Sequence, residues 1–181
     1  MTDTPHITDS HCHLDFESLA ADLPGVIARA GEAGVTRMVT ICTRLKNEPS
    51  VRAIAEAHDP VFYAAGTHPM SVATEPMASY DDLMALTQHP KMVGIGETGL
   101  DYHYTADSAE AQQASLRTHI AASRDSGLPL IIHARDADDD MARILREEHA
   151  NGAYPCVMHC FSSTQALGRA ALDLGFYLSM S

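Results

Sequence analysis

No run of about eighteen consecutive apolar residues occurs in the 181-residue sequence, so no membrane-spanning helix is expected. The opening segment Met1-Thr2-Asp3-Thr4-Pro5 has neither a basic start nor an apolar stretch, which speaks against a secretory signal. Cysteine is sparse. Cys12, Cys42, Cys156 and Cys160 form no CxxC pair, so neither a disulfide framework nor a cysteine-pair zinc finger is expected. The reading that follows is four thiols in a reducing, cytoplasmic compartment. Basic residues are also short: 12 Lys and Arg stand against 24 Asp and Glu, a formal net charge of −12. That balance disfavours broad electrostatic capture of nucleic acid. It leaves room for a nucleic-acid substrate met through bound metal, because ions supply local positive charge and some of the acidic residues can be ligands. Two catalytic signatures are missing as well, the GxSxG elbow and the phosphate-binding P-loop. The stretch Gly94-Ile95-Gly96-Glu97-Thr98-Gly99 fits the bare spelling GxGxxG, but a dinucleotide fold places that motif after its first strand. Here the glycines are expected to let the backbone turn tightly around Glu97.

What the sequence does contain is an ordinary globular balance, 45% hydrophobic and 20% charged, of a length that suits one domain. Short apolar runs alternate with amphipathic stretches. The runs are an opening strand near Ile7, then 37–42, 61–65, 92–96, 130–132, 156–158 and 176–178. Each is nearly free of charge, as strands covered on both faces of a parallel sheet should be. Between them, 23–33, 49–58, 81–87, 109–126, 138–149 and 164–174 place apolar residues at helical spacing. Gly34, Gly127, Gly152 and Gly175 follow helical stretches, where a left-handed cap favours glycine. The alternation predicts α/β architecture. Seven candidate strands are one short of a (β/α)8 barrel, so an open doubly wound sheet competes with it on length.

The chain holds 11 histidines, and several fall where predicted strands end. His11 and His13 follow the first, His68 the third, Glu97 the fourth, His133 the fifth and His159 the sixth. Residues two apart in extended chain share a face, so His11 and His13 aim two imidazoles at one spot. In a barrel, all these strand ends converge on one mouth. Histidines and a carboxylate gathered there suit one or two divalent ions, and a carboxylate can bridge two. Taken singly, each has a structural reading: His68 precedes Pro69 and could shape a turn, and Glu97 could be an ordinary ion-pair member. Their joint recurrence at one sheet edge favours metal. His58, His119 and His149 are read as helix-face or surface residues, and His89 as a loop residue.

The stretches 9–15 (DSHCHLD), 66–69 (GTHP), 94–102 (GIGETGLDY), 128–135 (LPLIIHAR) and 158–162 (MHCFS) together resemble the TatD family of metal-dependent deoxyribonucleases, amidohydrolase-like TIM barrels. The resemblance implies a TIM (β/α)8-type barrel, here about seven of eight strands, holding two divalent ions (Mg²⁺, Mn²⁺ or Zn²⁺). By motif match, His11 and His13 would bind one ion, Glu97 would bridge, and His133 and His159 would hold the second. His68 would lie near the scissile phosphate, and Arg135 would help hold a phosphate; the structural reading of Arg135 is an ion pair with Asp136 or Asp139. The implied activity is hydrolysis of DNA, commonly 3′→5′ exonuclease action on single strands, with no membrane and no obligatory protein partner. A metal-dependent amidohydrolase or esterase acting on a small molecule uses the same ligands and is the alternative, followed by a non-catalytic fragment. One departure matters. The family has an eighth strand ending in a metal-binding aspartate, and this sequence stops at Ser181, in or just after the seventh; Ser163 also stands where glycine is common. The expectation is one domain over 1–181, C-terminally incomplete, poorly active alone and prone to aggregate through an unpaired strand edge.

Overall fold

The short apolar runs become strands of one parallel sheet in the computed structural model, which describes residues 6–180. Met1–Pro5, where the sequence shows no signal pattern, and Ser181 lie outside the described residues. In chain order the elements are β1 (Ile7–Cys12), α1 (Glu17–Ala20), α2 (Leu23–Glu32), β2 (Val35–Cys42), α3 (Glu48–Ala57), β3 (Val61–Ala65), α4 (Tyr80–Leu86), β4 (Met92–Asp101), α5 (Ala109–Ser126), β5 (Leu130–Arg135), α6 (Asp138–Ala150), β6 (Cys156–Met158), α7 (Gln165–Asp173) and β7 (Tyr177–Leu178). The strands pair strictly in sequence order, all parallel. A doubly wound sheet reverses direction partway through its strand order, so the sequential order removes that competitor. Among the described residues, β1 and β7 each pair on one side only.

Alternation along the strands sorts the core into two parts. Met38 and Cys42 of β2, Tyr63 and Ala65 of β3, Leu130 and Ile132 of β5, and Cys156 and Met158 of β6 pack with helix residues such as Val51, Leu116 and Ile144. The intervening residues Ile41, Ala64 and Ile131 form a separate small cluster with Val39 and Val157. Side chains from β2 and β6, well apart in strand order, can meet there only if the sheet curls. This concave face is the interior of a TIM-type barrel made of seven strands. Its polar end is written in the same alternation: Ala64 leads to Gly66 and His68, Ile131 to His133, and Val157 to His159.

β4 breaks the rhythm. Ile95 pairs with Leu130 and Thr98 with Ile132, so three residues of β4 span two of β5. This β-bulge moves the following side chains to the opposite face. Without it, Glu97 would share the helix-facing side of Ile95; with it, Glu97 and Asp101 face the interior, and Leu100 packs into the helix-side core. Gly96 carries the bulge at φ 130°, where a Cβ would stand 2.5 Å from the Ile131 carbonyl oxygen. The sequence expectation of a tight backbone around Glu97 takes this form. A similar shift in β1, between Asp9 and Cys12, leaves Cys12 toward the helix-side core and the flanking histidines toward the mouth.

Local chemistry closes the helices. Ser79 caps α4 by accepting from the Asp82 N–H at 3.1 Å, and Thr164 caps α7 by accepting from the Leu167 N–H at 3.4 Å. Gly127 ends α5 in the left-handed region, its N–H donating to the Ser123 carbonyl at 2.9 Å. All four cysteines are free, and burial pushes the Cys12 and Cys42 thiols up to about 12. No helix among the described residues is long and apolar enough to cross a membrane.

Two expectations are corrected. β1, β4 and β5 run on through polar residues, so His11, Glu97 and His133 lie within strands rather than after them. His119, expected on a helix face or at the surface, lies on the buried face of α5 and is fully buried, both ring nitrogens having backbone partners.

Candidate metal centre

Five strand ends deliver one carboxylate and its histidines to the mouth of the curl. Glu97 sits at the middle, only 4% exposed. Its two oxygens face different ways. Oε2 lies 3.4 Å from His11 Nε2, while Oε1 lies 3.4 Å from His133 Nδ1 and 3.7 Å from His68 Nε2. Two groups result, His11–His13–Glu97 and His68–Glu97–His133, each with ligand atoms within 4.8 Å of one another. A carboxylate shared by two such groups has the placement of a bridging ligand.

Burial opposes the charge on Glu97, yet the surrounding imidazoles of His11, His133 and His68 hold its carboxyl well below the usual range. Burial lowers His68 to about 4, against the pull of Glu97. Burial also lowers His13 and His159, and in both the neighbouring His11 adds to the effect. His133 moves upward: burial acts against protonation, but Glu97 and Asp101 outweigh it. His13, His68 and His159 are thereby favoured as neutral rings, the form that ligates metal.

The donor set fits a cation. His11 Nε2 and His13 Nδ1 are buried and have no hydrogen-bond partner. His133 Nε2 donates to Asp101 Oδ2 at 3.0 Å, which leaves the neutral ring's Nδ1 lone pair facing Glu97 Oε1. Two lone pairs face each other there unless a proton or a cation lies between them. A carboxylate fixing the far nitrogen of a histidine is the usual support of a metal ligand.

That support was not read from the sequence. Asp101 is fully buried and also accepts from the Tyr104 N–H at 2.8 Å. Gln112 accepts from the Asp101 N–H at 2.7 Å and anchors the turn through Thr105 and Ser108. His119 holds the backbone just before His68: Nδ1 donates to the Ser115 carbonyl at 2.8 Å, and Nε2 accepts from the Thr67 N–H at 3.1 Å. His159 belongs to neither three-residue group; its ring stacks on His11 with centroids 3.4 Å apart. Arg135 is exposed and has no ion pair among the described residues, so it pairs with neither Asp136 nor Asp139. Its guanidinium lies 4.8 Å over the Tyr104 ring, at the edge of a cavity of about 1100 Å³ that includes Ser162 and Thr164.

A seven-stranded TIM-type curl with a shared carboxylate and ring nitrogens at its C-terminal mouth defines a barrel of the metal-centre class. The profile of the TatD related DNase family matches residues 8–181, and the chain belongs to that family. Among its relatives, the Escherichia coli K12 protein named uncharacterized metal-dependent hydrolase YcfH is 38% identical over 178 residues, covering 97% of this chain and 66% of its own length. The Enterobacter lignolyticus protein named 3′-5′ ssDNA/RNA exonuclease TatD is 29% identical over 175 residues, covering 96% of this chain and 66% of its own length. The crystal structure of YjjV, a TatD homologue of Escherichia coli K12, superposes with a TM-score of 0.85 at 29% identity, over 95% of this chain and 66% of that one. The chain thus spans about two thirds of the length of these relatives.

Proposed function

We propose that the chain is a metal-dependent hydrolase acting on phosphodiester bonds of single-stranded DNA, releasing nucleotides from the 3′ end. The observation that carries the reading is the splayed Glu97 carboxylate, each oxygen turned to a different set of histidines. The family match and the name of the Enterobacter relative support nucleic acid over a small-molecule amide or ester.

In this reading His11 and His13 would hold one divalent ion, Mg²⁺, Mn²⁺ or Zn²⁺, and His133 and His159 the other, with the Glu97 carboxylate available to both. Bound there, the ions would supply an activated water and neutralise charge growing on the phosphoryl oxygens. The chain's own groups do the rest. Asp101 keeps the Nε2 proton of His133 and so keeps Nδ1 turned inward. His68, lowered to about 4, stays neutral at pH 7 and offers Nε2 toward the substrate side of Glu97. Arg135, exposed over the Tyr104 ring, would meet a phosphate.

An end-labelled single-stranded oligonucleotide incubated with Mg²⁺ or Mn²⁺ tests this, beside an EDTA control and Glu97→Ala. Stepwise shortening from the 3′ end that both controls abolish is the expected result. A metal-loaded protein that leaves the strand intact refutes the nuclease reading. Metal analysis separates the two histidines: His159→Ala should lose bound ion, whereas His68→Ala should keep it and lose turnover.

A further inference from the structure

A cavity of about 990 Å³ opens beside the metal centre, lined by Glu97, His13 and His68 together with Phe16, Met70 and Arg44. Two of its walls are apolar and exposed, Phe16 at 53% and Met70 at 45%. Both are fixed close to the ligands. Phe16 follows His13 by three residues, its N–H donates to the His13 carbonyl at 3.1 Å, and its carbonyl accepts from Leu19 and Ala20 of α1. The loop between is pinned by buried Leu14, whose N–H donates to Thr40 Oγ1 at 3.1 Å. Met70 follows His68 by two residues, and its N–H donates to His68 Nδ1 at 3.3 Å.

The Phe16 ring lies nearly parallel to the His13 imidazole, with centroids 4.6 Å apart and planes 14° apart. One aromatic face is therefore taken by a metal-centre histidine, and the exposure falls on the rest of the ring. Asp15 and Glu17 line the same cavity, which disfavours a run of phosphates there. Arg44, 3.5 Å from Glu75, offers a single positive group. Such a lining suits one flat, uncharged heteroaromatic group with one phosphate beside it.

Resting on the nuclease reading above, we infer that Phe16, with Met70, forms a stacking subsite for the terminal base of the substrate strand. Stacking on an aromatic face tolerates any base, because every base has a π-face, so the subsite would select for the presence of a terminal base and not its identity. It would also place the adjoining phosphodiester against Glu97.

The test is equilibrium binding of two short oligonucleotides with phosphorothioate end linkages that slow hydrolysis, one ending in 2-aminopurine and one in an abasic site. The unaltered protein should bind the base-ended probe about tenfold more tightly and quench its fluorescence. Phe16→Ala should abolish both the preference and the quenching, Phe16→Trp should keep them, and Met70→Ala should reduce the preference. Equal binding of the two probes by the unaltered protein, or a preference that survives in Phe16→Ala, overturns the subsite. The readouts are separable from turnover: a base preference without strand cleavage removes the nuclease reading alone, and cleavage without a base preference removes the subsite alone.

Discussion

Asp101 accepts the Nε2 proton of His133, so the neutral ring can offer only Nδ1 toward Glu97. Asp101→Ala frees the ring to rotate and change tautomer, and metal affinity should fall by about 10- to 100-fold, as supporting carboxylates typically show. Competition titration with a chromogenic chelator measures this, and unchanged affinity would show that Asp101 serves only the Tyr104 turn. A second residue sets a pH dependence. Burial lowers His119 to about 4, below the ordinary 6.5 of the unfolded chain. Between those values the unfolded state binds the extra proton, so stability is full above pH 6.5 and declines as pH falls toward 4. The loss between pH 7 and pH 5 should be roughly 2 kcal/mol in urea unfolding, and His119→Gln should flatten that part of the slope. The His11-Cys12-His13 triplet and the strand-end histidines are readable in the sequence because type and spacing carry their chemistry. Asp101 and His119 are not, because their role is burial beside a particular partner 32 or 52 residues away in the chain.

β4 shows what periodicity can and cannot reveal about an element. Its first five residues, Met92 to Gly96, read as a buried strand, and they are one. The continuation through Glu97, Thr98 and Asp101 is nearly all buried too, but its polar residues mask it as a loop. The bulge then inverts which side chains face inward, a phase no alternation rule supplies. β3 and β6, ending before their polar residues, match their apolar runs end to end. The four-residue α1 escaped notice because it is shorter than one full amphipathic repeat. Packing around the bulge is tight: Gly99 sits at φ 144°, and a Cβ there would overlap the His133 carbonyl oxygen. Gly99→Ala should therefore cost about 3 kcal/mol and push His133 away from Glu97. Thermal unfolding and metal content measured together check it; a variant stable and fully loaded would show that β4 and β5 can separate at no cost.

For the molecule as a whole, sequential strand order and a curled sheet leave two edges, β1 and β7, each unpaired on one side among the described residues. Tyr177 in β7 is 75% exposed and Met180 just beyond it 77%. Unpaired backbone beside exposed apolar side chains templates strand addition. The 181-residue polypeptide should self-associate as its concentration rises, and Tyr177→Lys should shift it toward monomer in light scattering. A polypeptide monomeric at high concentration would show that the β7 edge is already shielded. The α/β alternation was legible from the order of strands and helices and the barrel from the family-like stretches, whereas the faces the strands present were not, since the curl arises from contacts between strands far apart in sequence.

The extra residue in β4 has a further meaning in terms of heredity. Loss of a single in-frame codon between Ile95 and Thr98 would leave the composition of the chain nearly unchanged and its strand count intact. The strand would keep its place between β3 and β5. Thr98 would still fall opposite Ile132, so Leu100 would stay toward the helices and Asp101 toward the mouth, and what a lost Glu97 codon would remove is the shared carboxylate itself. The codon of Glu97 thus separates a mouth whose two histidine groups share a carboxylate from one in which they share nothing.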